Sequence, residues 1–211
     1  DLKVLGCCHE VFGTQELLAE LASLYWDIPR PSRREIAVNV TGINHFTWLD
    51  RATYRGRDLL ALLRHHLAQE GVLRPYTREE VTSWGSYFAC AHQVKYSLFQ
   101  RYGLLPAAGD RHIAEFVPGF LVDEETVYRY GLSLTPMAYR YARWAEAPAQ
   151  TRALMSGQRP WTLQHSSEEG VEQICALLGL GDLMTNCNLP NRGQIANLPA
   201  DAVVETNAYF S

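Results

Sequence analysis

The chain has 211 residues, of which 47% are hydrophobic and 20% are charged, so it is long enough to bury a core of its own. Its net charge of −4 does not favour a nucleic-acid or membrane-surface partner, and no apolar run approaches the roughly 20 residues that span a bilayer. The five cysteines are an odd number without paired zinc-finger spacing, which predicts reduced thiols and a cytoplasmic location.

Strands and a helix are predicted along the first quarter of the chain. An apolar run at residues 2–5 predicts a strand, and Thr14 is expected to cap the helix that follows. The β-branched run at residues 36–43 predicts a buried strand, with residues 47–55 as its antiparallel neighbour.

The rest of the chain is predicted to be mostly helical. Four more helices are expected, at about residues 57–70 and 77–102, after Pro136 and after Ser166. The second of them begins with a capping box formed by Thr77 and Glu80. Residues 180–211 are predicted to be loop and extended chain. The pattern predicts an α/β (α+β) protein with more helix than strand, folded as a single domain over residues 1–211.

Two potential metal ligands lie where predicted strands end. In the segment GCCHEVFG, Cys8 directly precedes His9, and in GINHFTW a second imidazole, His45, follows the next strand. A thiolate and an imidazole are typical ligands of transition metals. Each residue alone also has an ordinary interpretation, because a single cysteine is usually a small buried hydrophobe and a histidine at a strand end is often half-buried.

A third segment, AAGDRHIAEFVPGF at residues 107–120, contains four polar residues close together, namely Asp110, Arg111, His112 and Glu115. One interpretation is a solvated loop. Because apolar residues surround these side chains, we prefer the interpretation that they pair with each other or face a cleft. The histidines outside the three segments are interpreted as structural, namely His65, His66, His92 and His165.

Four motifs in order, GCCHEVFG, GINHFTW, GDRHIAEF and NRGQIANLPADAVVE, resemble glycoside hydrolase family 4, and most of all its α-galacturonidase and α-galactosidase members. The likeness extends over essentially the whole chain. Members of this family carry an N-terminal dinucleotide-binding domain with a Gly-rich phosphate loop, whereas no G-x-G-x-x-G motif follows a strand in these residues.

The resemblance therefore implies the C-terminal catalytic lobe of a lactate/malate dehydrogenase-like enzyme, with helices packed on a mostly antiparallel sheet. We expect the N-terminal Rossmann domain to be absent and the chain to be a fragment cut at both ends.

The resemblance also implies a chemical mechanism that differs from the usual two-carboxylate hydrolysis. Family 4 enzymes use NAD and Mn²⁺ to oxidise the sugar at C3, remove the C2 proton, and break the glycosidic bond by elimination, after which water adds and the hydride returns. For this chain the implied substrates are α-galacturonides or α-galactosides. The isolated fragment is expected to be inactive because it lacks the NAD domain.

The implied catalytic roles follow from the positions that match the family's motifs. Cys8 and His45 match the metal ligands. Asp110 is the candidate base for the C2 proton. His9 is the candidate acid for the leaving oxygen, and Glu10 competes with it for that role.

Three further residues are assigned to substrate binding. Asn44 is expected to bind a sugar hydroxyl, while Arg111 and His112 are alternative partners for a hydroxyl or for the carboxylate of a uronic acid. The implied partner is a small sugar or uronide, with no nucleic acid and no membrane. A homo-dimer or homo-tetramer is expected.

Two alternatives remain open from the sequence. One alternative to the glycosidase is a substrate domain of the lactate/malate dehydrogenase type, and the other is a non-catalytic oligomerisation lobe, which is compatible with a glycosidase parent enzyme. The Cys-His and Asn-His pairs argue against the first, because hydride transfer between hydroxy acids needs no metal-bound thiolate. The closing motif at residues 191–205 is left outside the catalytic residues, since it is equally well interpreted as a turn-rich crossing strand.

Overall fold

A mostly antiparallel sheet forms the centre of the computed structural model, which describes residues 4–7, 10–162 and 168–210. Its described strands are β1 (Gly6–Cys7), β2 (Ile36–Ile43), β3 (Phe46–Tyr54), β4 (Arg57–Asp58), β5 (Leu105–Pro106), β6 (Leu183–Pro190) and β7 (Val203–Phe210). They lie in the order β1-β6-β7-β2-β3-β4, with β5 paired to β3, and every described pairing is antiparallel.

More of the described residues lie in helices than in strands, as predicted. The described helices are α1 (Glu10–Trp26), α2 (Leu59–Leu67), α3 (Arg78–Ser83), α4 (Gln93–Tyr102), α5 (Asp110–Phe116), α6 (Glu124–Arg129), α7 (Met137–Met155) and α8 (Gly170–Leu177). The predicted α+β class, with helices packed on an antiparallel sheet, is confirmed. No helix in the described part of the chain is long and apolar enough to cross a membrane.

The main core lies between helices α1 and α2 and the sheet. Leu18 of α1, Leu63 of α2 and Leu49 of β3 are each completely buried in one continuous apolar cluster. Full burial of a leucine contributes roughly 1.5–3 kcal/mol relative to exposure. This cluster packs α1 and α2 against β2 and β3.

A two-residue turn joins β2 to β3. Ile43 pairs with Phe46, and Asn44 and His45 between them have φ angles of 31° and 63°. Two successive left-handed residues are typical of a type I′ hairpin, and asparagine tolerates that conformation well. The predicted pair of neighbouring strands is therefore confirmed, although within β2 only Ile36 and Val40 are buried.

The C-terminal strands supply the middle of the sheet. Residues 180–211 are predicted as loop and extended chain, and the structure forms β6 and β7 from them, with β7 between β6 and β2. The loop between these strands is organised by Asn191, whose side-chain nitrogen donates to the carbonyls of Ile195, Leu198 and Pro199 at 2.9–3.1 Å. This loop returns the chain so that Glu205 pairs opposite Gly42.

The structure divides one predicted helix, and it decides against the solvated-loop interpretation of the segment around Asp110. The helix expected over residues 77–102 is two helices, because the chain turns at Gly85 and His92, which have φ angles of 66° and 57°. The capping box of Thr77 and Glu80 is confirmed at the start of α3. Residues 110–116 form a helix rather than a solvated loop, since Ile113 and its neighbours pack into a second apolar cluster.

The start of the chain also differs from its prediction. Helix α1 begins at Glu10, and Thr14 does not cap it, because its hydroxyl is buried and donates to the carbonyl of Ala107 at 2.6 Å. The first described strand is Gly6–Cys7, and residues 4 and 5 of the predicted strand precede it without strand structure. Residues 2 and 3 lie outside the described part of the chain.

Candidate functional site

Three of the predicted site segments meet at one end of the sheet. The Nε2 atom of His112, in the first turn of α5, lies 3.5 Å from Oε1 of Glu10, the first residue of α1. The rings of His112 and His45 lie 4.9 Å apart between centroids. The structure therefore brings together one residue from each of the first three motifs.

The backbone of His45 is held by an acid from the far end of the chain. Its amide donates to Oε2 of Glu205 at 3.0 Å, and Oε1 of Glu205 accepts from Nδ2 of Asn186 at 3.1 Å. Glu205 is completely buried. Glu205 is not among the predicted site residues, and its one signal in the sequence is an acidic residue that directly follows two valines of an extended segment.

Buried polar atoms without a hydrogen-bond partner concentrate around this turn. Among the described residues they are His45 Nδ1, Thr47 Oγ1 and Asn186 Oδ1. Most buried polar atoms in proteins are satisfied, so a group of exceptions in one place indicates a missing ligand, ion or water. An imidazole nitrogen that is buried and unpaired fits a divalent transition metal.

The other predicted metal ligand, Cys8, and the candidate acid, His9, lie outside the described residues. Both are flanked by described neighbours. The thiol of Cys7 donates to Oε1 of Gln173 at 2.7 Å, and Glu10 accepts from the amide of Gly109 at 3.5 Å. The segment that carries Cys8 and His9 therefore continues directly into the Glu10–His112 contact.

Asp110 occupies a more enclosed position than the sequence suggests. It is 1% exposed, and its two carboxylate oxygens accept the backbone amides of Val94 and Lys95 at 3.0 and 3.1 Å. Burial raises the pKa of its carboxyl to about 6, against the lowering effects of Lys95 and the two amides. Such a pKa suits a proton acceptor near neutral pH, and the role of base remains a prediction.

Lys95 is a buried cation that the sequence analysis missed. It is 1% exposed, and its ammonium donates to the hydroxyl of Thr14. Burial lowers its pKa, while the charge of Asp110 acts in the opposite direction. No local sequence signal distinguishes Lys95 from an ordinary helical lysine, because its partners are far away along the chain.

A second group of potential metal ligands lies beside Asp110. One ligand atom each from Cys90, His92 and Asp110 lies within 4.8 Å of the others. Although Cys90 is exposed, desolvation by the surrounding protein and the charge of Asp110 raise the pKa of its thiol to about 11. Desolvation lowers the pKa of His92 to about 4, so both groups are neutral at pH 7. Because Asp110 already accepts two amides and faces the buried Lys95, this group is a poorer cation site than His45.

The predicted substrate residues differ in their surroundings. Asn44 is exposed in the hairpin turn, and the side chain of His112 is 45% exposed. Arg111 is held by the protein, because its guanidinium donates to the carbonyl of Tyr87 and to Oγ1 of Thr135, both at 2.7 Å. Their roles in substrate binding remain predictions.

Comparison with known proteins gives a consistent assignment. Residues 40–211 match the family model described as the family 4 glycosyl hydrolase C-terminal domain. The chain is 48% identical over 210 residues to an alpha-galacturonidase of Bacillus subtilis (strain 168), which covers 100% of this chain and 46% of that protein. The crystal structure of lplD from Bacillus subtilis superposes with a TM-score of 0.86 at 47% identity, over 100% of this chain and 48% of that chain.

A more distant likeness concerns the fold alone. A 6-phospho-alpha-glucosidase from gut microorganisms, crystallised in complex with NAD and Mn²⁺, superposes with a TM-score of 0.56 at 16% identity. That match covers 98% of this chain and 45% of the other. The chain spans about half the length of the curated relatives it matches.

Proposed function

The chain belongs to family 4 of the glycosyl hydrolases, and from this membership we propose that it forms the metal- and substrate-binding part of an NAD- and Mn²⁺-dependent α-galacturonidase. Its 48% identity to an alpha-galacturonidase supports this substrate class, with α-galactosides as the alternative. Membership of a hydrolase family also favours this function over the dehydrogenase-type alternative.

The unpaired Nδ1 atom of His45 carries the proposal. It is buried without a hydrogen-bond partner, and the His45 ring lies 4.9 Å from the ring of His112, which in turn contacts Glu10. We assign Cys8 and His45 as the ligands of the metal. These two residues would hold Mn²⁺, which would supply Lewis-acid polarisation of the sugar oxygens, and NAD would supply hydride-transfer chemistry.

The protein's own acids and bases move the protons. Asp110 takes the C2 proton, since burial raises its pKa to about 6 and each of its oxygens keeps a second lone pair beyond the one that accepts an amide. His9 donates a proton to the leaving oxygen, with Glu10 as the competing donor. The contact between Glu10 and His112 supports Glu10 as a candidate donor, because it places this carboxylate beside the candidate site.

Three residues orient the sugar. Asn44 presents its amide from the exposed hairpin turn toward a hydroxyl group. Arg111 uses two of its five donors on Tyr87 and Thr135, so other N–H groups remain for the carboxylate of a uronic acid. His112 is the alternative partner for that carboxylate.

A homo-dimer or homo-tetramer in the cytoplasm belongs to the same proposal. Helix α7 supports association, because none of its residues is buried and it exposes large apolar side chains such as Trp144 and Met155. We also expect the 211 residues alone to show no turnover, since they contain no Gly-rich phosphate loop.

Metal-dependent kinetics of the full-length protein test this function. Replacing Cys8 by Ser or His45 by Ala is expected to lower Mn²⁺-dependent hydrolysis of an aryl α-galacturonide by about 100-fold or more, because each change removes a metal ligand. The control His65→Ala, at an exposed position of α2, should leave the rate unchanged. Galacturonide should be cleaved faster than glucuronide or galactoside. Full activity in both ligand variants would refute the assignment.

A further inference from the structure

We propose that Glu205 is a positioning residue that holds the β2–β3 turn in the conformation in which His45 binds the metal. This inference rests on the proposed function. It gives a role to the end of the fourth sequence motif, residues 191–205, which the catalytic assignment leaves unused.

The contacts of Glu205 connect the turn to the centre of the sheet. Its Oε2 atom accepts the amide of His45 at 3.0 Å, and its Oε1 atom accepts Nδ2 of Asn186 at 3.1 Å. In β7 it pairs opposite Gly42 on one side and Asn188 on the other. The carboxylate therefore links three strands directly beneath the turn.

The turn needs such support because His45 has a left-handed backbone with a φ angle of 63°. Histidine adopts this conformation less readily than asparagine or glycine, and such residues persist when their surroundings hold them in place. A fixed carboxylate that accepts the His45 amide fixes the direction of the chain at that residue. The position of the imidazole then follows from the position of its backbone.

Both carboxylate oxygens of Glu205 accept from N–H donors. The isosteric change Glu205→Gln therefore places an NH₂ group opposite either the His45 amide or the Asn186 side chain. This substitution keeps the size of the side chain, removes its negative charge and replaces one acceptor oxygen by an NH₂ donor. It is therefore the sharpest variant for a positioning role.

A second buried glutamate provides the matched control. Glu169 is 9% exposed, and it accepts from Nη1 of Arg33 at 3.1 Å and from the hydroxyl of Thr185 at 2.8 Å. Glu169→Gln disturbs a buried network of similar kind without touching the turn. A loss of stability that is common to both variants can thereby be separated from an effect on the metal site.

The experiment measures Mn²⁺ affinity of the full-length protein by the electron paramagnetic resonance signal of free Mn²⁺. We expect Glu205→Gln to weaken binding by about 10-fold or more, which is typical when a group that orients a metal ligand is changed. Glu205→Ala should weaken it further, and Glu169→Gln should leave it unchanged. Amide hydrogen exchange at residues 42–48 should accelerate in the Glu205 variants alone.

The two measurements separate this inference from the proposed function. If His45→Ala leaves Mn²⁺ affinity unchanged, the proposed metal site fails, and exchange at residues 42–48 still decides whether Glu205 holds the turn. If a folded Glu205→Gln protein keeps both wild-type Mn²⁺ affinity and wild-type exchange at the turn, the positioning role is refuted.

Discussion

Asp110 and Glu205 are buried carboxylates that hold the backbone of another element. They are 1% and 0% exposed. Asp110 accepts two amides at the start of α4, and Glu205 accepts the amide of His45. An ionised carboxylate only accepts hydrogen bonds and forms stronger ones than a neutral group, so it fixes the direction of a chain well. The two acids thus determine the geometry around the candidate site.

Asp110 should make stability depend on pH between about pH 4 and 6. Burial raises its pKa to about 6, so the folded protein binds this proton more tightly than the unfolded chain does. The stabilisation that comes from this tighter proton binding is complete below about pH 3.9, the pKa of an aspartate in the unfolded chain. It is lost as the pH rises through 6, which lowers the free energy of unfolding by about 3 kcal/mol. Asp110→Asn should remove this loss, which urea unfolding at pH 4, 5, 6 and 7 can measure.

Asp123 provides a control with the opposite sign. Its amide hydrogen bond from Thr126 lowers the pKa of its carboxyl, so its contribution is lost as the pH falls. Asp123→Asn should therefore leave the loss of stability between pH 4 and 6 in place. An unchanged pH profile in Asp110→Asn would show that the buried carboxyl does not titrate in this range.

The β2–β3 hairpin is the element on which the candidate site depends. It carries Asn44 and His45 in its turn, and the next-to-last residue of its first strand is a glycine for a steric reason. A Cβ atom on Gly42 would collide with the backbone carbonyl oxygen of Phe46, and it would lie 2.7 Å from Cα of Thr47. Only glycine allows the two strands to approach this closely, so the motif GINH encodes the shape of the turn.

Gly42→Ala should therefore destabilise the protein by about 1–3 kcal/mol, the usual cost of overpacking, because backbone atoms of β3 must move away. The matched control is Gly13→Ala in α1, where a Cβ meets nothing within 4 Å. That change should stabilise the protein by about 0.5–1 kcal/mol through helix propensity. Chemical denaturation of both variants measures the difference, and equal effects of the two substitutions would contradict the account of the turn.

At the scale of the whole molecule, local signals were predictable and distant contacts were not. The β2–β3 pair and the capping box of Thr77 and Glu80 arise from residues close in sequence, and both are present. The break at residues 84–92 was missed although Gly85 follows α3, because α4 begins after a left-handed histidine, His92, and not after a proline or a glycine.

The residues missed in the candidate site interact across long stretches of chain. Glu205 contacts His45 from 160 residues away, and Lys95 contacts Thr14 from 81 residues away. The sequence pattern of residues 203–210 indicates an extended chain without indicating that it lies in the middle of the sheet. Such placements depend on tertiary packing, so family resemblance identified the chemistry better than it identified the residues that support it.

Anomalous scattering at the manganese edge tests the central claim most directly. In crystals of the full-length protein grown with Mn²⁺, the account predicts an anomalous difference peak within bonding distance of His45 and Cys8. A peak at Cys90, His92 and Asp110 instead, or density for His45 without any bound metal at saturating Mn²⁺, would contradict it.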